Sequence, residues 1–79
     1  MSKFYIYSKN GCSFCDKLTG FMDRNNVLYE KFNLDTDFSS EDFMLKFGRG
    51  STFPQVSLNN QTIGGMKDTV RYLTQNRIV

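Results

Sequence analysis

Lys3-Phe4-Tyr5-Ile6-Tyr7-Ser8-Lys9-Asn10-Gly11-Cys12-Ser13-Phe14-Cys15 is the stretch that decides how this chain folds. Lys3 to Ser8 alternates polar and apolar positions and is filled with aromatic and β-branched residues, the pattern of a strand. Asn10-Gly11 breaks that pattern. From Ser13 to about Asn25, Phe14, Leu18, Phe21 and Met22 recur at helical spacing. Gly20 inside that segment weakens the helix by about 1 kcal/mol. The two cysteines therefore fall at a strand-to-helix junction.

Further along, Val27 to Leu34 alternates again, with Leu28, Phe32 and Leu34 on one side and Tyr29, Lys31 and Asn33 on the other. This suits a strand with a polar face or at a sheet edge. Ser39-Ser40-Glu41-Asp42 reads as an N-cap with acids in the first turn of a short helix containing Phe43, Met44 and Phe47, closed by Gly48 to Gly50. Gln55 to Leu58 and Gln61 to Ile63 read as strands around Asn59-Asn60, a pair that tolerates the left-handed backbone of a tight hairpin. After Gly64-Gly65, Asp68 to Gln75 makes a last helix with Val70 and Leu73 inward. The order βαβαββα predicts an α/β, thioredoxin-like arrangement: a four-stranded mixed sheet with three helices, one domain over residues 1–79.

Bulk properties narrow the function. A chain of 79 residues that is 39% hydrophobic, with eight Phe and four Tyr, has large side chains for one compact core. A net charge of +2 gives no argument for nucleic acid or a membrane surface as partner. Met1 to Tyr7 lacks the apolar core of a secretory signal, and no apolar run approaches the roughly 18 residues of a membrane span. The expected address is the cytoplasm, where a cysteine pair is more often catalytic or metal-binding than a structural staple.

Cys12-Ser13-Phe14-Cys15 carries the chemistry. Two intervening residues on a first helical turn bring the sulfurs close enough to make and break one disulfide. Cys12 sits at the helix N-terminus, where unpaired N–H groups and the macrodipole favour a thiolate. Cys15 lies one turn inside, more sheltered. The outer sulfur is thus assigned as nucleophile and the inner one as resolving thiol. Structural zinc needs four ligands, and the chain has no other Cys and no His, so only a site shared between chains remains open. A cysteine-protease arrangement lacks its His base. Two inert core cysteines are the remaining alternative.

Three landmarks occur in one order: Lys9-Asn10-Gly11-Cys12-Ser13-Phe14-Cys15, Thr52-Phe53-Pro54-Gln55-Val56 and Ile63-Gly64-Gly65-Met66-Lys67-Asp68. Together they resemble the Lys-x-x-Cys-Pro-Tyr-Cys, Thr-Val-Pro and Gly-Gly-x-Asp motifs of the glutaredoxins, over nearly the whole chain. The resemblance implies a cis peptide before Pro54, with the backbone of Phe53 beside Cys12 ready to pair with extended glutathione. It implies a glutathione site formed by Lys9, Phe14, Arg49, Thr52, Phe53, Pro54, Gly65, Met66, Lys67 and Asp68. Within it, Lys9 and the weaker candidate Arg49 form a cationic rim. The backbone amides of Met66 and Lys67 take a carboxylate, and Asp68 takes the ammonium of the γ-glutamyl group or serves as an acid for the helix terminus.

The sequence departs from the family pattern in three places: Ser13 replaces the usual proline, Phe14 the usual tyrosine, and Lys67 the first acid after the Gly-Gly pair. The implied activity is reduction of protein disulfides and glutathione mixed disulfides by a monomer. Glutathione is the reductant, no cofactor is tightly bound, and ribonucleotide reductase is one family client. Two alternatives stand beside it. One is an electron carrier recharged by thioredoxin reductase, against which Gly64-Gly65-Met66-Lys67-Asp68 weighs. The other is a carrier of a [2Fe-2S] cluster bridged between two protomers by Cys12 and glutathione, which Ser13 leaves open.

Overall fold

The structure, a computed structural model, describes residues 3–79. Of the stretch read above for a leader, Met1 and Ser2 lie outside the described residues. The elements are β1 (Phe4–Ser8), α1 (Ser13–Arg24), β2 (Tyr29–Asn33), α2 (Ser40–Phe47), β3 (Gln55–Leu58), β4 (Gln61–Gly64) and α3 (Met66–Gln75). The strands make one sheet in the order β2-β1-β3-β4. β1 and β2 are parallel, whereas β3 runs antiparallel to β1 and β4. This is the expected mixed sheet with three helices, and β2 is at its edge as its mixed polarity suggested.

Strand alternation explains the layering. Along β1, Phe4, Ile6 and Ser8 are buried while Tyr5 and Tyr7 are only half-buried. Ile6 lies opposite Val56 in the β1–β3 ladder. These two residues join Leu18 and Met22 of α1 and Leu73 of α3 in the core, all with no exposed surface. On the other side of β1, Tyr7 packs against the rings of Phe32, Phe38 and Phe47 at 5.4, 5.2 and 5.0 Å between centroids. Phe38, Phe43 and Phe47 extend this second aromatic layer onto α2.

The caps follow from the local sequence. Ser39 Oγ accepts the Asp42 N–H at 3.0 Å, and Asp42 Oδ2 accepts the Ser39 N–H at 3.4 Å, closing a capping box at the start of α2. Asn59 and Asn60 take φ of 52° and 65°, the left-handed pair that the β3–β4 hairpin requires.

Four local expectations change. α3 starts at Met66 rather than Asp68, because Gly65 takes the extended N-cap conformation and its carbonyl already accepts the Thr69 N–H at 3.0 Å. β4 runs on through Gly64, which pairs with Val56. Leu28 precedes β2 and is exposed, while its neighbour Val27 occupies the buried place. Phe14 is 57% exposed despite its helical spacing with Leu18. Among the described residues no helix is long and apolar enough to cross a membrane.

Candidate active site

β1 ends at Ser8 and the chain turns through Gly11, whose φ of +75° favours a residue without a side chain. That turn places Cys12 as the N-cap of α1 with extended backbone (φ −92°, ψ 103°). Cys12 and Cys15 are joined in a disulfide, their Cα atoms 5.2 Å apart. The Cys15 N–H donates to Cys12 Sγ at 3.1 Å, so one of the free amides of the helix's first turn is aimed at this sulfur. Cys12 keeps 8% of its surface and Cys15 none. The asymmetry inferred from sequence is therefore present: the outer sulfur receives the helix terminus and the inner one is sealed. Such an arrangement stabilises negative charge on Cys12 when the pair is reduced.

Two loops distant in sequence meet to form a cleft of about 520 Å³. Thr52, Phe53 and Pro54 supply one wall; Gly65, Met66, Lys67 and Asp68 supply the other, and Phe14 closes the end toward α1. The Phe53-Pro54 peptide is cis. Lys9 stands outside the lining, but its Nζ lies 5.2 Å from the centre of the Phe53 ring. Thus Lys9 touches the wall of the cleft and Phe14 lines it, and Cys12 lies between them in the chain. Neither cysteine is itself a lining residue. Arg49 is exposed in the turn after α2 and lies outside the cleft.

The walls are held from behind. Phe53 stacks on buried Phe43 of α2 at 4.2 Å between centroids, and on Phe38 at 6.3 Å. Gln55 Nε2 donates to the Thr52 carbonyl at 2.9 Å, clasping the loop across Phe53 and Pro54. Opposite, Gly64 has φ of +128°, and a Cβ there would come within 2.9 Å of Asp68 Cβ and collide with its carboxylate. Gly64 therefore lets Asp68 fold back over the β4–α3 turn. The Asp68 carboxylate also lies 4.0 Å from the Arg71 guanidinium, an exposed pair.

Gln55 lines the cleft although the sequence had assigned it no site role, and Gly64 lines it as part of the Gly64-Gly65 turn. Gly64 carried a signal, the Gly-Gly pair, whose first member proves the more constrained. Gln55 carried none, since its bond to Thr52 depends on the shape of the loop. Among the described residues no group of three or more His, Cys, Asp or Glu is placed to hold a metal ion.

The geometry agrees with known proteins. The family profile described as Glutaredoxin matches residues 5–63. Glutaredoxin 1 of Rickettsia prowazekii (strain Madrid E) is 32% identical over 75 residues, covering 92% of this chain and 79% of the relative. Glutaredoxin 3 of Escherichia coli (strain K12) is 26% identical over 68 residues, covering 86% and 82%. Among solved structures, oxidised E. coli glutaredoxin superposes with a TM-score of 0.76 at 22% identity, covering 94% of this chain and 95% of that one. A buckwheat glutaredoxin–glutathione complex superposes with a TM-score of 0.73 at 20% identity, covering 98% and 73%.

Proposed function

Because this chain belongs to the glutaredoxin family of thiol–disulfide oxidoreductases, we propose that it reduces protein disulfides and glutathione mixed disulfides at the expense of glutathione. Cys12 is the nucleophile and Cys15 the resolving thiol. The observation that carries this reading is the Cys15 N–H aimed at Cys12 Sγ, at the end of a helix whose first turn also lines the cleft.

The steps balance as two-electron exchange. The Cys12 thiolate attacks one sulfur of the client disulfide; a Cys12–client bond forms and the other client sulfur leaves as thiolate, taking a proton from solvent. The Cys15 thiolate then attacks Cys12 Sγ, which releases the second client thiol and leaves the Cys12–Cys15 disulfide. Two glutathione thiols reduce that disulfide in turn, through a Cys12–glutathione mixed disulfide, and become glutathione disulfide. A glutathionylated client needs only the first half: Cys12 takes the glutathionyl group, and a second glutathione removes it.

In the cleft, the Phe53 backbone pairs with the extended tripeptide. Lys9 attracts the glycine carboxylate, the Met66 and Lys67 amides take the γ-glutamyl carboxylate, and Asp68 takes its ammonium. The convergence of Phe53, Met66, Lys67 and Asp68 on one cleft, with Lys9 against the Phe53 ring, supports this pose, and a buckwheat relative of the same fold has been crystallised as a glutathione complex. The chain acts as a monomer in a reducing cytoplasm, with disulfide-bearing enzymes such as ribonucleotide reductase as clients. A paired assay tests the reading: turnover of a glutathionylated substrate with glutathione and its reductase, against turnover with thioredoxin reductase. Glutathione-driven turnover is expected; turnover only with thioredoxin reductase would overturn the reductant assignment.

A further inference from the structure

The cleft does not stop at Met66. The same side chain lines a second depression of about 400 Å³ between α1 and α3. Its apolar lining is Phe21 and Val70 with Met66, and its charged lining is Lys17 and Arg24 with one acid, Asp16. Gly20 lies in its floor, and the Arg24 Nη1 stands 3.5 Å from where a Cβ would be, so the guanidinium lies along the helix over the missing side chain. Lys17 Nζ lies 5.5 Å from the centre of the exposed Phe14 ring, which ties this depression to the end of the cleft nearest Cys12.

Cations outnumber acids along this path: Lys17, Arg24 and Lys67 against Asp16 and Asp68. Among the described residues, Lys17, Arg24 and Lys67 have no ion-pair partner. The two acids alongside are both engaged, Asp16 with Lys31 at 3.8 Å and Asp68 with Arg71 at 4.0 Å.

From this continuity we infer that the α1–α3 depression is a docking extension for protein clients, selecting an acidic polypeptide segment that flanks the client's disulfide. The inference rests on the thiol–disulfide reading above and names its client class. Apolar side chains of the segment settle on Phe21, Met66 and Val70, and its carboxylates meet Lys17 and Arg24. Complementary charge of this kind raises the rate of productive encounter and is sensitive to salt.

The test uses the whole reduced protein and three substrates. Two are synthetic peptides with the same internal disulfide, one with acidic and one with basic flanks; the third is the small mixed disulfide of glutathione and 2-mercaptoethanol. Wild type should reduce the acidic peptide with a kcat/KM about tenfold above the basic one at low salt. That preference should vanish at about 1 M salt, where the screening length is about 3 Å. The double charge reversal Lys17→Glu, Arg24→Glu should invert the preference, and Lys17→Gln, Arg24→Gln should remove it. Both should leave turnover of the small mixed disulfide unchanged. Equal use of the two peptides by wild type, or a preference that survives charge reversal, overturns the docking extension while the thiol–disulfide reading stands. Failure to turn over any of the three substrates overturns both.

Discussion

The N–H of Cys15 donates to the sulfur of Cys12 across 3.1 Å, so the buried member of the pair supplies the helix-terminal hydrogen bond to the more exposed one. After reduction this bond favours a thiolate on Cys12 and does nothing of the kind for Cys15. Alkylation of the reduced protein by iodoacetamide near neutral pH should therefore modify Cys12 first, with peptide mapping to assign the site. Equal rates at the two thiols would contradict the assignment of roles.

The same asymmetry separates two serine variants. Cys12→Ser should lose all thiol transfer, because a hydroxyl is far less ionised than the thiol it replaces. Cys15→Ser should lose reduction of protein disulfides but keep glutathione-dependent deglutathionylation, which needs one thiol. Steady-state rates on both substrate types check this; a dead Cys15→Ser beside an active Cys12→Ser would reverse the roles.

The adjacent glycines should respond differently. Gly64→Ala places a Cβ against Asp68 at a φ of +128°, and should cost more than about 1 kcal/mol in urea unfolding. Gly65 has an ordinary backbone, and its added Cβ would meet only the Pro54 carbonyl at 3.5 Å. Gly65→Val should thus fold, while its methyl groups enter the cleft and raise KM for a glutathionylated substrate about tenfold. Unfolding by Gly65→Val and indifference to Gly64→Ala would be the opposite result.

Alkaline stability should report on two tyrosines. Burial first, then the hydrogen bond to Asp23 at 2.9 Å and that carboxylate's charge, raise the Tyr29 hydroxyl above 10.0. Burial, then Tyr5, raise Tyr7. A raised folded-state value means the unfolded chain ionises first. These contributions are complete below the unfolded value of 10.0 and are lost as pH climbs through the folded values. Stability measured against pH should fall above about 10, and less steeply in Tyr29→Phe. An unchanged slope in that variant would remove Tyr29 from the account.

Much of this was legible from sequence, for identifiable reasons. β1 and α1 showed because their periods of two and 3.6 change across Asn10-Gly11, and this junction fixes the cysteines at a helix terminus. Ser39 with Asp42, and Asn59-Asn60, are local chemistry and formed as read. The start of α3 was misplaced because Gly65 caps without a side chain, leaving Asp68 as the only visible terminal signal. Helical spacing could not say that Phe14 leaves the core, since at the first turn the apolar stripe runs past the sheet into the cleft. The Phe38, Phe43 and Phe53 stack behind the cleft wall joins segments whose approach only the tertiary fold decides.

The claim on which the functional account turns is that residues 52–54 and 64–68 form one glutathione site next to Cys12. The direct measurement is the amide spectrum of Cys15→Ser, free and as its glutathione mixed disulfide. Shifts should appear at the start of α1 and, together, in residues 52–54 and 64–68. Shifts confined to α1, with both loops silent, would contradict the account and put glutathione elsewhere.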